Sequence, residues 1–436
     1  MFSSFPTILS QFFRVGTDRP GSDYAQYANV ANVSKCSELC CDDSFVCQSY
    51  VYVSKAPSDF GSCKQGNPCC YLKNANVSVV PSTLPGIISG TVKSNVSSLK
   101  VKWSLQVSKG PQYSTSSPAL SDSKVFFGIG TVFFSVHRTN GTLAWSEETN
   151  GNLVGTPLLL DGTVIFTSYD GLVRARDSET GEIQWTFDTH SFVESSPVLS
   201  NNILMFGAGN GAAYALNVRN GSLIWNVNLN GVILGSGLVY SEKTVIFPTF
   251  GSTNVLTSLE IQSGDVLWSS DLNRYCSNGV GSNPILDDEN HLYVTCQRAG
   301  GHSHPGGNEA FLIATNISTG ESLQTIDLNS TEPTMNPLII SDSLIISVGS
   351  DILSVATPES TVRFRRHIGS SLTAPTTSSN GSVVLVGSSQ GDVFELDPEH
   401  GTILRAFQGS DPVLSSVSED AGELYVVTAT SILVLT

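Results

Sequence analysis

Cysteine is the residue type whose spacing carries the most chemistry in this chain. Seven of the nine cysteines fall close together and two stand far away: Cys36, Cys40, Cys41, Cys47, Cys63, Cys69, Cys70, and then Cys276 and Cys296. Such clustering is typical of a disulfide-rich module or of a metal site. The cluster contains neither a CxxC pair nor an interleaved histidine, which favours disulfides. Their connectivity stays open, and one thiol is left for an intermolecular bridge, a free thiol or a bond to the rest of the chain.

Two other groups of side chains could bind a metal ion. His302 and His304 could chelate one together, but no third ligand is identifiable nearby, so both are interpreted as solvated loop residues. Asp287, Asp288 and Glu289 look like a calcium cluster, but they lie where a hairpin turn is expected. The sequence also lacks P-loop and HExxH motifs. It therefore predicts no metal site and no catalytic residue.

The composition indicates an all-β protein with few classes of partner. Of 436 residues, 40% are hydrophobic and only 14% charged, and the 39 glycines supply turns. The formal charge of −16 repels phosphate backbones and anionic lipids, which makes nucleic acid and membrane surfaces poor partners. No apolar run reaches the roughly 20 residues that a spanning helix needs, so no direct membrane insertion is predicted.

A repeat of about 40 residues organises the chain from residue 97 onward. All five tryptophans occupy one position of this repeat: Trp103, Trp145, Trp185, Trp225 and Trp268. A turn glycine precedes the position and a proline follows it, and the later repeats replace tryptophan by Gln324, Phe364 and Arg405. Each repeat contains four short strands separated by Asn and Gly turns, which is typical of propeller blades. We expect the tryptophans to pack between neighbouring blades.

The strand count predicts an eight-bladed β-propeller that closes on itself. The first outer strand, Leu99 to Gln106, lacks inner strands, and the last set of inner strands, Leu414 to Thr436, lacks an outer one. The two fragments should complete one blade and so remove the open sheet edges. The predicted fold class is an all-β, eight-bladed β-propeller with a small disulfide-rich α+β module at the amino terminus.

The repeat resembles a known family. The segment DGLVRARDSETGEIQWTFDT, from Asp170 to Thr189, is similar to the PQQ-like repeat of quinoprotein dehydrogenases and the outer-membrane assembly factor BamB. This resemblance implies the fold and leaves the activity open. A quinoprotein would hold PQQ and Ca²⁺ with a vicinal disulfide and a catalytic Asp, whereas the vicinal pairs here, Cys40-Cys41 and Cys69-Cys70, lie in the small module. No cofactor is therefore predicted.

The cysteine cluster resembles a PAN/apple-like domain. The matching pieces are a helix at Cys36 to Cys41, a strand at Cys47 to Tyr52 and a strand at Cys70 to Lys73. By resemblance, such modules bind proteins or carbohydrates outside cells. The predicted domains are an unassigned leader at 1–16, the module at 17–80, a linker at 81–96 and the propeller at 97–436.

Blade five departs from the repeat and is predicted to carry a ligand site. It has a long loop before its first strand and a long insertion at Gln297 to Ala310, and both emerge on the same face. Cys276 and Cys296 should therefore form a disulfide. The predicted ligand-binding residues are Arg274, Tyr275, Arg298, His302, His304 and Glu309, which make a locally less negative patch suited to an acidic glycan or protein.

The cysteine content and eight sequons indicate an extracellular glycoprotein. The candidate glycosylation sites are Asn32, Asn76, Asn95, Asn140, Asn220, Asn316, Asn329 and Asn380. The leading hypothesis is a secreted, non-catalytic protein that binds extracellular proteins or glycans through the small module and one propeller face. The alternatives are a secreted quinoprotein oxidoreductase or carbohydrate-active enzyme, and a disulfide-linked subunit of an extracellular polymer.

Overall fold

The computed structural model describes most of the chain from residue 97 onward and four strands before it. The residues described are 25–28, 49–53, 69–73 and 87–91, and 97–436 without 109–111, 113, 253–254, 273, 278–279, 281, 300–307, 333, 358–360 and 369. The chain divides into two compact units, residues 1–98 with 402–406 and residues 99–401 with 407–436.

The amino-terminal unit contains one antiparallel sheet of four strands. Their spatial order is Ala25–Ala28, Cys69–Lys73, Ser49–Val53 and Ile87–Thr91. The second and third of these lie where the sequence predicts strands, whereas the predicted helix at Cys36 to Cys41 lies outside the described residues. The predicted linker at 81–96 needs correction, because its residues Ile87–Thr91 pair with Ser49–Val53. Ser49–Val53 pairs with Cys69–Lys73 on one side, so the backbone groups on its other side are satisfied by Ile87–Thr91. The Pro and Gly residues of the segment had suggested a linker and gave no sign of this strand.

Eight four-stranded antiparallel blades follow along the chain. Blades one and two comprise Ala119–Leu120, Lys124–Ile129, Val132–His137, Leu143–Glu148 and Leu158–Leu160, Thr163–Thr167, Leu172–Asp177, Ile183–Asp188. Blades three and four comprise Val198–Ser200, Ile203–Gly207, Ala212–Asn217, Leu223–Asn228 and Leu238–Ser241, Thr244–Pro248, Leu256–Glu260, Val266–Ser270. Blades five and six comprise Ile285–Leu286, His291–Ala299, Asn308–Asn316, Ser322–Asp327 and Leu338–Ile340, Ser343–Val348, Asp351–Ala356, Val362–His367. Blades seven and eight comprise Thr376–Thr377, Val384–Gly387, Val393–Leu396, Ile403–Phe407 and Ser418–Asp420, Glu423–Val427, Ser431–Leu435, Val101–Gln106, and a short strand, Ser97–Ser98, pairs in parallel with Arg405 and Ala406.

Burial explains the sequence of each blade. The second and third strands are buried along nearly their whole length, because neighbouring blades cover both of their faces. The outermost strands alternate between buried and exposed positions, as Ile183–Asp188 does. Tight turns join the first two strands, and in blade two Asp161 and Gly162 both have positive φ, 45° and 78°. Asp-Gly is suited to that turn, since both residues tolerate the left-handed region.

The predicted ring closure is confirmed. Val101–Gln106 pairs antiparallel with Ser431–Leu435, so that Trp103 lies opposite Val434. The strand begins at Val101, and Leu99 instead packs into the core of this blade at 4% exposure. Arg138 of blade one braces the junction, because its guanidinium donates to the Tyr425 hydroxyl (2.9 Å) and pairs with Asp420.

The tryptophans lock five of the eight blades to the next one, which confirms their predicted packing. In all five cases the indole Nε1 donates to a backbone carbonyl of the following blade: Trp103 to Arg138 (2.8 Å), Trp145 to Ser178 (3.1 Å), Trp185 to Val218 (2.9 Å), Trp225 to Ile261 (2.8 Å) and Trp268 to Ile317 (3.0 Å). The ring also covers the turn glycine of that blade. A Cβ on Gly221 would lie 2.6 Å from the Trp185 ring, and its φ is 69°, so this position requires glycine.

Candidate functional site

The two ends of the strands form two different faces of the propeller. The turns between strands one and two and between strands three and four lie at one end, which we call the hairpin face (for example 161–162 and 178–182). The connections between strands two and three, and from strand four to the next blade, lie at the other end, which we call the loop face (for example 168–171 and 189–197). The tryptophan locks occupy turns of the hairpin face, so that the loop face is freer to vary.

Blade five extends the loop face by a long hairpin. Its second and third strands have nine residues each, whereas the corresponding strands of blade three have five and six. The predicted insertion at Gln297 to Ala310 is therefore only partly a loop. Its ends continue the ladder, with Gln297 opposite Ala310 and Arg298 opposite Glu309. Backbone pairing carries the strands beyond the repeat because each added pair satisfies further N–H and C=O groups.

A disulfide fastens this hairpin to the connection that precedes blade five. Cys276 and Cys296 are bonded, with their Cα atoms 5.4 Å apart, and both side chains are buried. They pack in one apolar cluster with Val280, Leu292 and Phe311. The Cys276 N–H also donates to the Leu272 carbonyl (2.9 Å). The two loop-face segments are thus held together covalently and by a shared core.

Arg298 and Glu309 are brought together, but not as the sequence suggests. Glu309 is 2% exposed and accepts from Arg298 Nε at 3.0 Å. Arg298 also donates to the Arg274 carbonyl (3.3 Å), and its guanidinium lies 5.1 Å from the Phe311 ring centre. Arg298 is therefore paired with a buried carboxylate and contributes less positive charge to the rim than its residue type suggests. The less negative charge of the whole patch stays a prediction.

Arg274 and Tyr275 complete the described part of the predicted site. The Arg274 guanidinium lies 5.6 Å from the Tyr275 ring centre, and the Tyr275 and Phe311 rings are 6.0 Å apart. His302 and His304 lie outside the described residues. Four of the six predicted residues therefore lie on one rim of blade five. Asp287 forms the predicted hairpin turn on the other face, where it accepts from the His291 N–H (2.8 Å) and the Tyr293 hydroxyl (3.0 Å).

Three aromatic side chains that the sequence analysis missed continue the loop face across blades two to four. This aromatic row consists of Tyr169, Phe192 and Phe250. Tyr169 and Phe250 are 39% and 41% exposed, and the Tyr169 and Phe192 ring centres are 5.2 Å apart. Phe192 lies over Gly209, where a Cβ would come within 2.2 Å of its ring. Aligning the repeats could have found the row, because Tyr169, Gly209 and Phe250 occupy one position after strand two.

A carboxylate gives the aromatic row a negative edge. The Tyr169 hydroxyl donates to Glu194, and burial together with that carboxylate raises the pKa of Tyr169 well above its usual value. The phenol therefore stays protonated and keeps Glu194 beside the ring. Next to it, burial would raise the pKa of Asp170, but hydrogen bonds from Arg174, Ser168 and the Leu172 N–H lower it to about 2. This ionised anchor holds the connection that carries Tyr169.

Small polar residues encircle the central axis at the loop face. In five of the eight blades, the residue two positions before the innermost strand donates its N–H to the side chain of the equivalent residue in the next blade. Five such bonds are present in the described part of the chain: Thr156 to Ser196 (2.8 Å), Ser196 to Ser236 (3.0 Å), Ser236 to Asn283 (2.7 Å), Asn283 to Asn336 (2.7 Å) and Ser416 to Ser117 (3.2 Å). The remaining position is Ala374. We call this set of residues the axial belt.

The axial belt does not fit the PQQ cofactor that the resemblance implies. PQQ carries several carboxylates and is bound with Ca²⁺, so its site needs cationic and carboxylate side chains. The belt offers only Ser, Thr, Asn and Ala. The two cysteines of residues 97–436 are bonded across twenty positions and cannot form a vicinal disulfide. No group of three His, Cys, Asp or Glu that could hold a metal ion occurs among the residues described.

Comparison with family models identifies both parts of the chain. The family model described as outer membrane protein assembly factor BamB matches residues 89–232, which span the first blades of the ring. The propeller is of the PQQ-like repeat type. The PAN domain model matches residues 17–73, so the PQQ-like propeller follows a PAN domain. A comparison with curated proteins finds no match.

Solved structures of low identity share the fold of this propeller. BamB from Moraxella catarrhalis is 17% identical, with a TM-score of 0.60, over 78% of this chain and 97% of that one. The computationally designed Ika8 protein is 16% identical, with a TM-score of 0.62, over 77% and 98% of the chains. Quinohemoprotein alcohol dehydrogenase from Comamonas testosteroni is 11% identical, with a TM-score of 0.60, over 77% and 76%. At these identities the likeness extends to the fold alone. In the described residues, no helix is long and apolar enough to cross a membrane.

Proposed function

We propose that the chain is a secreted, non-catalytic binding protein whose loop face docks a protein partner. The observation that carries the proposal is the aromatic row, which leaves Tyr169 and Phe250 exposed on connections of the loop face. Exposed aromatic side chains on a rigid scaffold are typical anchors of protein interfaces. The disulfide-fastened rim of blade five lies on the same face and adds Tyr275 to it.

The chemistry of the loop face favours a partner with an apolar segment and cationic flanks. Glu194 lies against the aromatic row, and Arg298, which the sequence presents as a free cation, is compensated by Glu309. The whole chain carries a formal charge of −16, so a cationic partner approaches with electrostatic assistance. We therefore propose a protein with Lys or Arg beside aliphatic or aromatic residues, in place of the acidic ligand predicted from the sequence.

Secretion and a second binding unit complete the proposal. Seven clustered cysteines and the Cys276–Cys296 disulfide fit an oxidising compartment. The PAN domain is proposed as a second binding module in addition to the propeller. The matching family is described as an assembly factor, a name that also suits a role in holding protein partners. We also propose that the predicted ligand-binding residues of blade five contact the partner.

Capture from the native extracellular milieu tests the docking face. The wild-type chain is compared with Tyr169→Ser/Phe250→Ser, and with a matched control, Ile183→Ser/Leu223→Ser, whose aliphatic side chains are 71% and 48% exposed on outermost strands. After chemical cross-linking, we expect partner proteins to be captured by the wild type and by the control, and to be absent from the loop-face variant. Their capture should weaken with added salt. Partners retained by all three chains would place the interface elsewhere.

One structural likeness favours a second candidate, a quinoprotein oxidoreductase, because the dehydrogenase from Comamonas testosteroni shares the fold. Adding PQQ and Ca²⁺ tests it directly. We expect no bound-quinone spectrum and no dye reduction with alcohols or sugars, since the axial belt lacks charged side chains. Stoichiometric reconstitution with turnover would establish the enzyme.

A glycan array tests binding or cleavage of carbohydrate, and nonreducing gels test the disulfide-linked polymer.

A further inference from the structure

We propose that N-linked glycans occupy one face of the propeller, the hairpin face, at Asn140, Asn220 and Asn380. The inference rests on the proposed secretion and deepens the proposed function, because it leaves the loop face free for the partner. The three sequons share the form Asn-Gly-Thr or Asn-Gly-Ser, and all three asparagines are exposed.

The three asparagines also share a local conformation. The side-chain oxygen of Asn140 accepts from the Thr142 N–H (3.1 Å) and hydroxyl (2.8 Å). Asn220 accepts from the Ser222 N–H at 3.0 Å. Asn380 accepts from the Ser382 N–H (3.1 Å) and hydroxyl (2.7 Å). In each case the hydrogen bonds engage the amide oxygen, and the nitrogen that receives the glycan takes no part in them.

Topology places these sequons together. Asn140 and Asn220 lie in the turns between the third and fourth strands of blades one and three, and Asn380 lies between the first and second strands of blade seven. Both kinds of turn lie on the hairpin face.

In the transfer step, the amide nitrogen forms a bond to C1 of a lipid-linked oligosaccharide pyrophosphate. The C1–O bond breaks, the lipid pyrophosphate leaves, and the nitrogen loses a proton. A bulky polar glycan on this face would obstruct any partner there.

Two further sequons in the described residues provide contrasts. Asn316 is half-buried, and its side-chain oxygen caps the turn by accepting from the Ser318 (2.8 Å) and Thr319 (3.2 Å) N–H groups. Asp177 caps the equivalent turn of blade two in the same way. We therefore assign Asn316 a structural role. Asn329 lies in a connection of the loop face with φ of 48°, and we expect no glycan there.

Site-by-site glycan occupancy tests the proposal. The full chain is secreted from a eukaryotic host, treated with peptide-N-glycosidase in ¹⁸O water, and analysed by peptide mass spectrometry. We expect more than half occupancy at the three hairpin-face sites and little at Asn316 and Asn329. Thr142→Ala, Ser222→Ala and Ser382→Ala should each remove one glycan from the gel pattern. Thr142→Ser, which keeps the sequon, should retain it.

The outcomes separate this inference from the docking proposal. Two or more empty hairpin-face sites, or a glycan at Asn329, would overturn the one-face arrangement. Because the host supplies secretion, occupancy reports local conformation whether or not a partner exists. Conversely, a failed capture experiment leaves the occupancy pattern unchanged. Full occupancy with lost capture in Tyr169→Ser/Phe250→Ser would support both.

Discussion

Blade three and blade five have the same pairing of their outer strands and different loops. In both, the position opposite the tryptophan site is alanine, as Ala215 faces Trp225 and Ala314 faces Gln324, and a bulge follows at the same place. The second and third strands, however, have five and six residues in blade three and nine each in blade five. The added length lies entirely toward the loop face, which also carries the disulfide. The difference shows which end of a blade can change without disturbing its neighbours.

The hairpin face is constrained because it transmits contacts around the ring. Five of its eight outer turns receive the indole of the preceding blade, and Gly221 has no room for a side chain beneath Trp185. The loop face contributes the axial belt and otherwise consists of connections. Substitutions at the two faces should therefore have unequal effects on stability and binding.

The largest expected effect tests the closure on which both faces depend. Deleting residues 97–107 removes the outermost strand of blade eight, together with Trp103 and its bond to blade one. We expect cooperative thermal unfolding to disappear, because the exposed edge of Ser431–Leu435 opens the ring. A chain that lacks residues 1–89 is the control and should melt as one transition. Calorimetry that gives the same transition for both chains would contradict the closure.

The next test concerns a single lock of the hairpin face. Trp185→Ala removes a 7% exposed ring and its hydrogen bond to Val218. The free energy of unfolding should fall by about 3–5 kcal/mol, as for other buried aromatic truncations. Ile183→Ala, on the same strand but 71% exposed, should change it by less than about 0.5 kcal/mol. Equal urea midpoints for the two variants would show that the lock contributes little.

Features that recur in every repeat could be predicted from the sequence, whereas contacts between residues of different repeats mostly could not. Eight blades, the closure through Trp103 and the role of the tryptophans follow from periodic residues, and the structure confirms them. The aromatic row was missed because Tyr169, Phe192 and Phe250 belong to separate repeats and share a face only once the ring forms. The pairing of Arg298 with Glu309 was not predicted, because residues 297–299 and 308–310 were interpreted as loop.

A third prediction sharpens the contrast at blade five. Replacing Cys276 and Cys296 together by serine removes a crosslink between residues twenty positions apart. The chain-entropy estimate for such a loop is about 3 kcal/mol of stability. Capture of partners should fall as well, since the rim loses its anchor. Peptide mapping of the wild type under nonreducing conditions is the direct check. A free thiol at either cysteine, or a bond to the PAN domain, would contradict the pairing.

The fourth prediction concerns the loop-face anchor beneath Tyr169. Burial would raise the pKa of Asp170, but hydrogen bonds from Arg174 and Ser168 lower it from 3.8 to about 2. A lowered folded-state pKa stabilises the fold above pH 4, and this contribution is lost as the pH falls toward 2. Relative to wild type, Asp170→Asn should therefore lose about 2 kcal/mol at neutral pH and almost nothing near pH 2. A difference that does not change with pH in urea titrations would argue against the anchor.

The smallest expected effect lies in the axial belt, where the loop face itself contributes to packing. Asn283 donates its N–H to Asn336 at 2.7 Å, but at the next junction the equivalent residue is Ala374, whose methyl group cannot accept a bond from Asn336. Ala374→Ser places a hydroxyl oxygen at that position and should stabilise the chain by about 1 kcal/mol. The reverse change, Ser196→Ala, removes the acceptor of the Thr156 N–H and should cost a similar amount. Opposite shifts of the melting temperature would show that the belt acts as a repeated hydrogen-bond ring. Shifts of the same sign would contradict this role, because one change adds the same hydroxyl group that the other removes.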